Sequence, residues 1–257
     1  MFDLSWLDSG AIAVVRLNRP PANAIGLDQV RELDSLIDRL HDTPCRAVLF
    51  HAEGRFFSAG ADIGLMGKAD GSADAATPQR MARDMQRVYA KLESLAVPTI
   101  CAIAGICVGG GMELALSCDI RVATRDARFG LPESRIGLLP GAGGTQRLVA
   151  VAGIAVAKRL ILTGEIISGE LAQRYGIVQD LVETGRAYDH ALTLARAIAA
   201  TPTRTIAAIA RCIALAPSPA GYEAELEESA ALHDQPETKA LIDAFAARSK
   251  AKKAAAP

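Results

Sequence analysis

The chain has no surplus of either charge. Its 28 Lys and Arg stand against 29 Asp and Glu, a net of -1 at pH 7 with a pI near 6.4. Nucleic acid and anionic membrane both reward a basic excess, so neither is expected as the main partner. The opening residues Met1-Phe2-Asp3-Leu4-Ser5-Trp6 hold no basic region and no apolar core, so no signal peptide is expected; Asp3 and Asp8 speak against a transit peptide. The five cysteines (45, 101, 107, 118, 212) form no CxxC and sit mostly in apolar surroundings, so reduced core thiols in a cytoplasmic protein are expected. Four histidines without HxxxH or HExxH spacing leave no His-rich metal site. The longest uncharged stretch, 94–112, reaches membrane-span length, but Pro98, Gly105 and Gly109-Gly110-Gly111 fit a buried strand, a loop and a helix start better. There is no P-loop, no G-x-S-x-G elbow and no repeat of about 20–50 residues. Gly105…Gly109-Gly110-Gly111 and Gly141-Ala142-Gly143-Gly144 lack the G-x-G-x-x-G spacing of a dinucleotide loop.

What is present is an ordinary globular composition, half hydrophobic and 22 % charged, which excludes wholesale disorder. At 257 residues the chain can build a full core as one large domain or as one domain with an appendage. β-branched runs predict strands at 11–17, 46–51, 99–103, 119–123 and 177–181. Val30, Leu33, Ile37 and Leu40 recur at helical spacing and predict a helix over 27–42. A second is expected over 79–94, and a third from the glycine run to about 116. Residues 52–62 read as a loop, and the small, polar 64–78 as a mobile one. Alternating strands and helices indicate an α/β fold with largely parallel pairing. From about 152 the chain turns Ala-rich and helical, with Pro202, Pro217, Pro219 and Pro236 marking breaks. This places an α/β core over 1–195 and a helical part over 196–257.

Two carboxylates lie beside glycine-rich backbone. Glu113 follows Gly109-Gly110-Gly111-Met112 within an apolar run, and Glu133 lies in Phe129-Gly130-Leu131-Pro132-Glu133. Each has an ordinary reading: a first-turn glutamate favoured by the helix dipole, and a surface loop acid. The glycine run has one too, the close packing of a helix on a strand. Yet a glycine-bearing helix N-terminus also exposes N–H groups that can hold developing negative charge. Phe56-Phe57-Ser58-Ala59-Gly60-Ala61-Asp62 offers a second such loop. The residues therefore allow a site that polarises a carbonyl with two backbone amides and moves protons with two glutamates, without metal or redox cofactor.

At these positions the sequence resembles the crotonase superfamily, the enoyl-CoA hydratase/isomerase family. The resemblance is carried by Asn18-Arg19-Pro20, FFSAGADI (56–63), VPTICAIAGICVGGGMELALSCDIRVA (97–123), RFGLPESRIGLLPGAGGTQRL (128–148) and LTGEIISGELAQRYGIV (162–178), most of residues 11–180 in the family's order. It implies a spiral of ββα turns with a helical C-terminal trimerisation region, assembled as a homotrimer or a hexamer. It implies an acyl-CoA thioester as substrate, with coenzyme A entering as part of it. The N–H groups of Ala61 and Gly110 then resemble an oxyanion hole, and Glu113 and Glu133, 20 positions apart, match the two catalytic glutamates of hydratases. Family members with other reactions often lack one of the two.

By the same resemblance Ala22, Ala59, Asp62, Ile63 and Gly64 border the CoA, and Phe245 and Arg248 reach it, often from a neighbouring subunit. Gly64 stands where many hydratases carry a basic residue, with Lys68 and Arg19 as candidate replacements. Leu65, Met66, Leu131 and Leu138 are candidates for the acyl pocket. The expected reaction is hydration of a trans-2-enoyl-CoA. The alternatives are an isomerase or another crotonase-type lyase or hydrolase, and a non-catalytic acyl-CoA-binding or RNA-binding scaffold.

Overall fold

The computed structural model describes residues 1–62, 64 and 76–254. The chain divides into two compact units, Met1–Ile198 and Ala199–Pro257.

The first unit winds through successive β-β-α turns: β1 (Phe2–Leu7), β2 (Ile12–Leu17) and α1 (Leu27–His41); β3 (Ala47–Ala52), β4 (Phe56–Ser58) and α2 (Ala76–Glu93); β5 (Thr99–Ile103), β6 (Ile106–Val108) and α3 (Gly110–Leu116); and β7 (Ile120–Thr124), β8 (Arg128–Gly130) and α4 (Gly144–Thr163), with a 3-10 turn at Pro132–Ile136 before α4. β9 (Ile167–Ser168), α5 (Gly169–Arg174), β10 (Asp180–Val182) and α6 (Ala187–Ala199) complete it. Both strands of the first turn lie in a six-stranded sheet, order β1-β2-β3-β5-β7-β10; in the next three turns the first strand joins that sheet and the second joins a four-stranded sheet, β4-β6-β8-β9. β2, β3, β5, β7 and β10 run parallel, as do β4, β6 and β8; β1 and β9 pair antiparallel at the edges. The central strands are buried on both faces, as parallel strands require, so they read as continuous apolar runs.

Most elements lie where the pattern predicts. The exceptions are short or two-faced. The stretch read as a loop over 52–62 contains β4, and β6, β8 and β1 were not anticipated either. Three residues are too few to display a period of two, and β1 is an edge strand that leaves Trp6 exposed. The strand expected at 177–181 forms at Asp180–Val182 instead. α4 begins at Gly144, ahead of the helical stretch read from about 152, and is interrupted at Gly153, where φ is +81°. Of the 64–78 stretch, residues 65–75 lie outside the described residues and Ala76 opens α2. No helix among the described residues is long and apolar enough to cross a membrane. All five cysteines are free thiols.

The second unit is helical: α7 (Thr203–Ala214), α8 (Pro219–His233) and α9 (Pro236–Ala254). Glu228 of α8 accepts from Arg204 and Arg211 of α7, fixing that pair.

Candidate active site

Two backbone segments meet in the first unit where only glycine permits it. Ala59-Gly60-Ala61 follows β4, and Gly109-Gly110 leads into α3. Gly60 and Gly109 have φ of +90° and +54°, the region open to glycine at little strain. A Cβ on Gly60 would stand 3.0 Å from Gly110 N, and one on Gly110 would stand 3.3 Å from Ala61 N. The amides of Ala61 and Gly110 are thereby brought close together. Gly110 is the first residue of α3, so its N–H has no carbonyl four residues back. Ile25 N donates to Gly60 O, and Asp62 N donates to Ile25 O, which turns the Ala61 amide the other way. Among the described residues neither amide has a hydrogen-bond acceptor. The Gly110 carbonyl is held by the buried Tyr89 hydroxyl, which donates to it at 3.0 Å.

Both amides border a cavity of about 400 Å³ that Glu113, Glu133, Met85 and Leu138 also line. Glu113, only 2 % exposed, projects from α3, and its Oε1 accepts from Ala142 N and Gly144 N, both at 2.8 Å. Burial pushes its pKa up to about 7; the two amides hold it down, and the neighbouring Glu133 charge adds to the rise. Glu133 sits in the 3-10 turn with Oε1 beside Gly109, where a Cβ would stand 3.1 Å away. Its Oε2 is buried without a hydrogen-bond partner among the described residues, and burial raises its pKa too. Two carboxyls that both resist ionisation in one cavity can hold and hand over a proton near neutral pH.

The structure brings together Ala61, Gly110, Glu113 and Glu133. It also joins Ala22 and Ala59, whose N–H donates to Ala22 O at 2.9 Å. The buried Asn23 holds that loop against β4: its Oδ1 accepts from Arg19 N, and its Nδ2 donates to Phe56 O and Phe57 O. Asp62 Oδ1 accepts from Gly64 N, and Gly64 is exposed. Arg19 is engaged within the protein, donating to Asp62 Oδ2 at 2.9 Å and to Ala24 O at 2.6 Å. Leu131 is fully buried and is not among the residues lining this cavity. Phe245 and Arg248 are exposed on α9 of the second unit. Ile63, Leu65, Met66 and Lys68 lie outside the described residues. Sequence reasoning missed Ala142 and Gly144. Their turn was weighed only as a dinucleotide loop, although glycines that fail that motif still signal amides free to face a ligand or a carboxylate.

The sequence profile of the enoyl-CoA hydratase/isomerase family matches residues 8–252. The chain belongs to this family. Membership makes it one of a family of enzymes with the crotonase fold. It is 44 % identical over 168 residues to a probable enoyl-CoA hydratase of Bacillus subtilis strain 168, covering 65 % of this chain and 64 % of that relative, just under two thirds of its length. It is 39 % identical over 192 residues to the short-chain-enoyl-CoA hydratase of Clostridium acetobutylicum, 74 % of this chain and 72 % of the relative. The crystal structure of an enoyl-CoA hydratase from Bacillus anthracis superposes with a TM-score of 0.89 at 28 % identity, covering 96 % of each chain. The family's spiral of ββα turns is thus the fold observed here.

Proposed function

We propose that the protein hydrates a trans-2-enoyl-CoA to a 3-hydroxyacyl-CoA. The observation that carries this reading is the meeting of two acids and two unpaired amides in one cavity, when a plain proton shuttle needs only one acid. The thioester oxygen would accept from Ala61 N–H and Gly110 N–H, which hold the charge that develops there as the enolate forms. Glu113, as carboxylate, takes a proton from water while the water oxygen bonds to the β-carbon. The double-bond electrons move to the thioester oxygen, then return as Glu133 delivers a proton to the α-carbon. Glu113 gains one proton and Glu133 loses one, so the pair keeps its total charge. The two amides on Glu113 Oε1 favour its ionised form, and the unpartnered Oε2 of Glu133 suits a protonated one.

Ala22, Ala59, Asp62, Ile63 and Gly64 would border the CoA, with Phe245 and Arg248 reaching it from a neighbouring subunit. The second unit supports assembly into a homotrimer or a dimer of trimers: Ile213, Leu226 and Phe245 are 68 %, 76 % and 69 % exposed, a display that an isolated helical unit does not need.

Incubation with crotonyl-CoA in ¹⁸O-labelled water tests the reaction. The expected product is 3-hydroxybutyryl-CoA carrying the label at the β-oxygen. Failure to form it, with conversion of a 3-enoyl-CoA to the 2-enoyl isomer instead, would overturn the hydratase reading in favour of an isomerase.

A further inference from the structure

The turn that holds Glu113 is itself held from two helices. Arg147 of α4 donates from Nη1 to Ala142 O at 2.7 Å, and from Nε and Nη2 to the two carboxylate oxygens of Glu93 on α2, each at 2.7 Å. That fork is the geometry in which a guanidinium binds a carboxylate most firmly. The guanidinium carbon lies 6.0 Å from the centre of the Tyr89 ring, whose hydroxyl donates to Gly110 O. One turn along α2, Gln86 Nε2 donates to Gly141 O at 2.7 Å. Gln86, Tyr89 and Glu93 recur at i, i+3 and i+7, so one face of α2 supplies all three contacts. With the carbonyls of 141 and 142 taken, the N–H groups of Ala142 and Gly144 are aimed at Glu113 Oε1. Gly143, at φ +104°, admits no side chain, because a Cβ would run into Arg147 Nη1.

We propose that Arg147 is a positioning residue for the acid–base pair: from α4 it clamps the Ala142 turn onto Glu113, and Glu93 fixes the guanidinium that does so. This rests on the hydratase reading. Around Glu113 the charged or titratable groups are Glu133 of the 3-10 turn, Arg147 of α4 and the buried Tyr89 phenol of α2; α3 contributes no other. Arg147 also lowers the Glu113 pKa by its charge, against the pull of burial.

The two roles separate by mutation. Arg147→Gln removes the charge, so Glu113 should ionise at higher pH. Glu93→Gln keeps an acceptor for Arg147 yet removes the carboxylate that offsets it, so Glu113 should ionise at lower pH. Arg147→Lys keeps the charge and loses the fork. The test is carboxyl ¹³C NMR of Glu113 in full-length protein carrying Glu133→Gln, so that a single cavity acid titrates. Arg147→Gln should raise its pKa by about half a unit, and Glu93→Gln should lower it by a similar amount. In the otherwise wild-type enzyme, Arg147→Lys should cut kcat roughly tenfold with KM nearly unchanged. A merely structural residue would give shifts of the same sign in both variants, or none, and either result overturns the proposal. Should Arg147→Gln fail to fold, the isosteric Glu93→Gln decides alone: a lowered pKa supports the clamp, an unchanged or raised one rejects it. The titration is read without reference to turnover. Full activity in Glu113→Gln would thus reject the hydratase reading while leaving the Arg147 result standing.

Discussion

Glu113 is a residue on which burial and hydrogen bonding pull in opposite directions, and burial wins. Its pKa near 7, against an ordinary 4.5, means that the folded protein binds this proton more tightly than the unfolded chain. The stability that follows is fully present below about pH 4.5 and is lost as the pH rises through 7. Over that window the group should withdraw on the order of 3 kcal/mol, an effect absent from Glu113→Gln. Urea midpoints measured from pH 4.5 to 8 in both proteins check this, and parallel curves would show that the carboxyl is not perturbed. Gly110→Ala tests the amide pair. The new Cβ would meet the end of the flexible Met85 side chain at 2.8 Å and the fixed Ala61 amide at 3.3 Å. We expect a fold of near-native stability and a kcat lower by about 10–100-fold, since one oxyanion donor is displaced. The two glycine-rich loops and the two acids stood out in the sequence, and the resemblance to the family is what singled out Ala61 and Gly110 among the loop amides. Ala142, Gly144, Arg147 and Glu93 did not stand out. Their role appears only when α2, α3 and α4 converge, and no local pattern encodes that meeting.

At the scale of elements, adjacent glycines on α3 do different work. Gly110 leaves room at the amide pair, whereas Gly111 lies against β4, where a Cβ would stand 2.5 Å from Ser58 Cβ. Packing is thus the work of Gly111, and the amide donation proposed for the run belongs to its neighbour Gly110. Gly111→Ala should destabilise by about 1–3 kcal/mol, because strand and helix must separate to admit it. Urea unfolding at constant m-value checks this; a stability equal to wild type would mean the contact is loose. α1 was readable because Val30, Leu33, Ile37 and Leu40 all face the core. β4, β6 and β8 were not, because a strand of three residues is too short to display a clear alternation and is specified by its parallel neighbours in the four-stranded sheet.

For the whole molecule, the repeated ββα turn explains why chemistry collects at one place. Each turn deposits a loop after its second strand, and stacking in parallel brings the loops after β4 and β6 side by side, with the turn before α4 closing over them. The proposed assembly rests on the exposed apolar side chains of the second unit. Light scattering should give three or six times the 26.9 kDa chain mass, and Leu226→Asp should reduce it. A wild-type protein of single-chain mass would contradict that assembly. The claim on which everything else turns is that both acids act on one substrate. Steady-state hydration of crotonyl-CoA by Glu113→Gln and Glu133→Gln reads it most directly. We predict that each variant loses about 10²–10⁴-fold in kcat while binding the CoA ester nearly as well as wild type; wild-type turnover in either one would contradict the account.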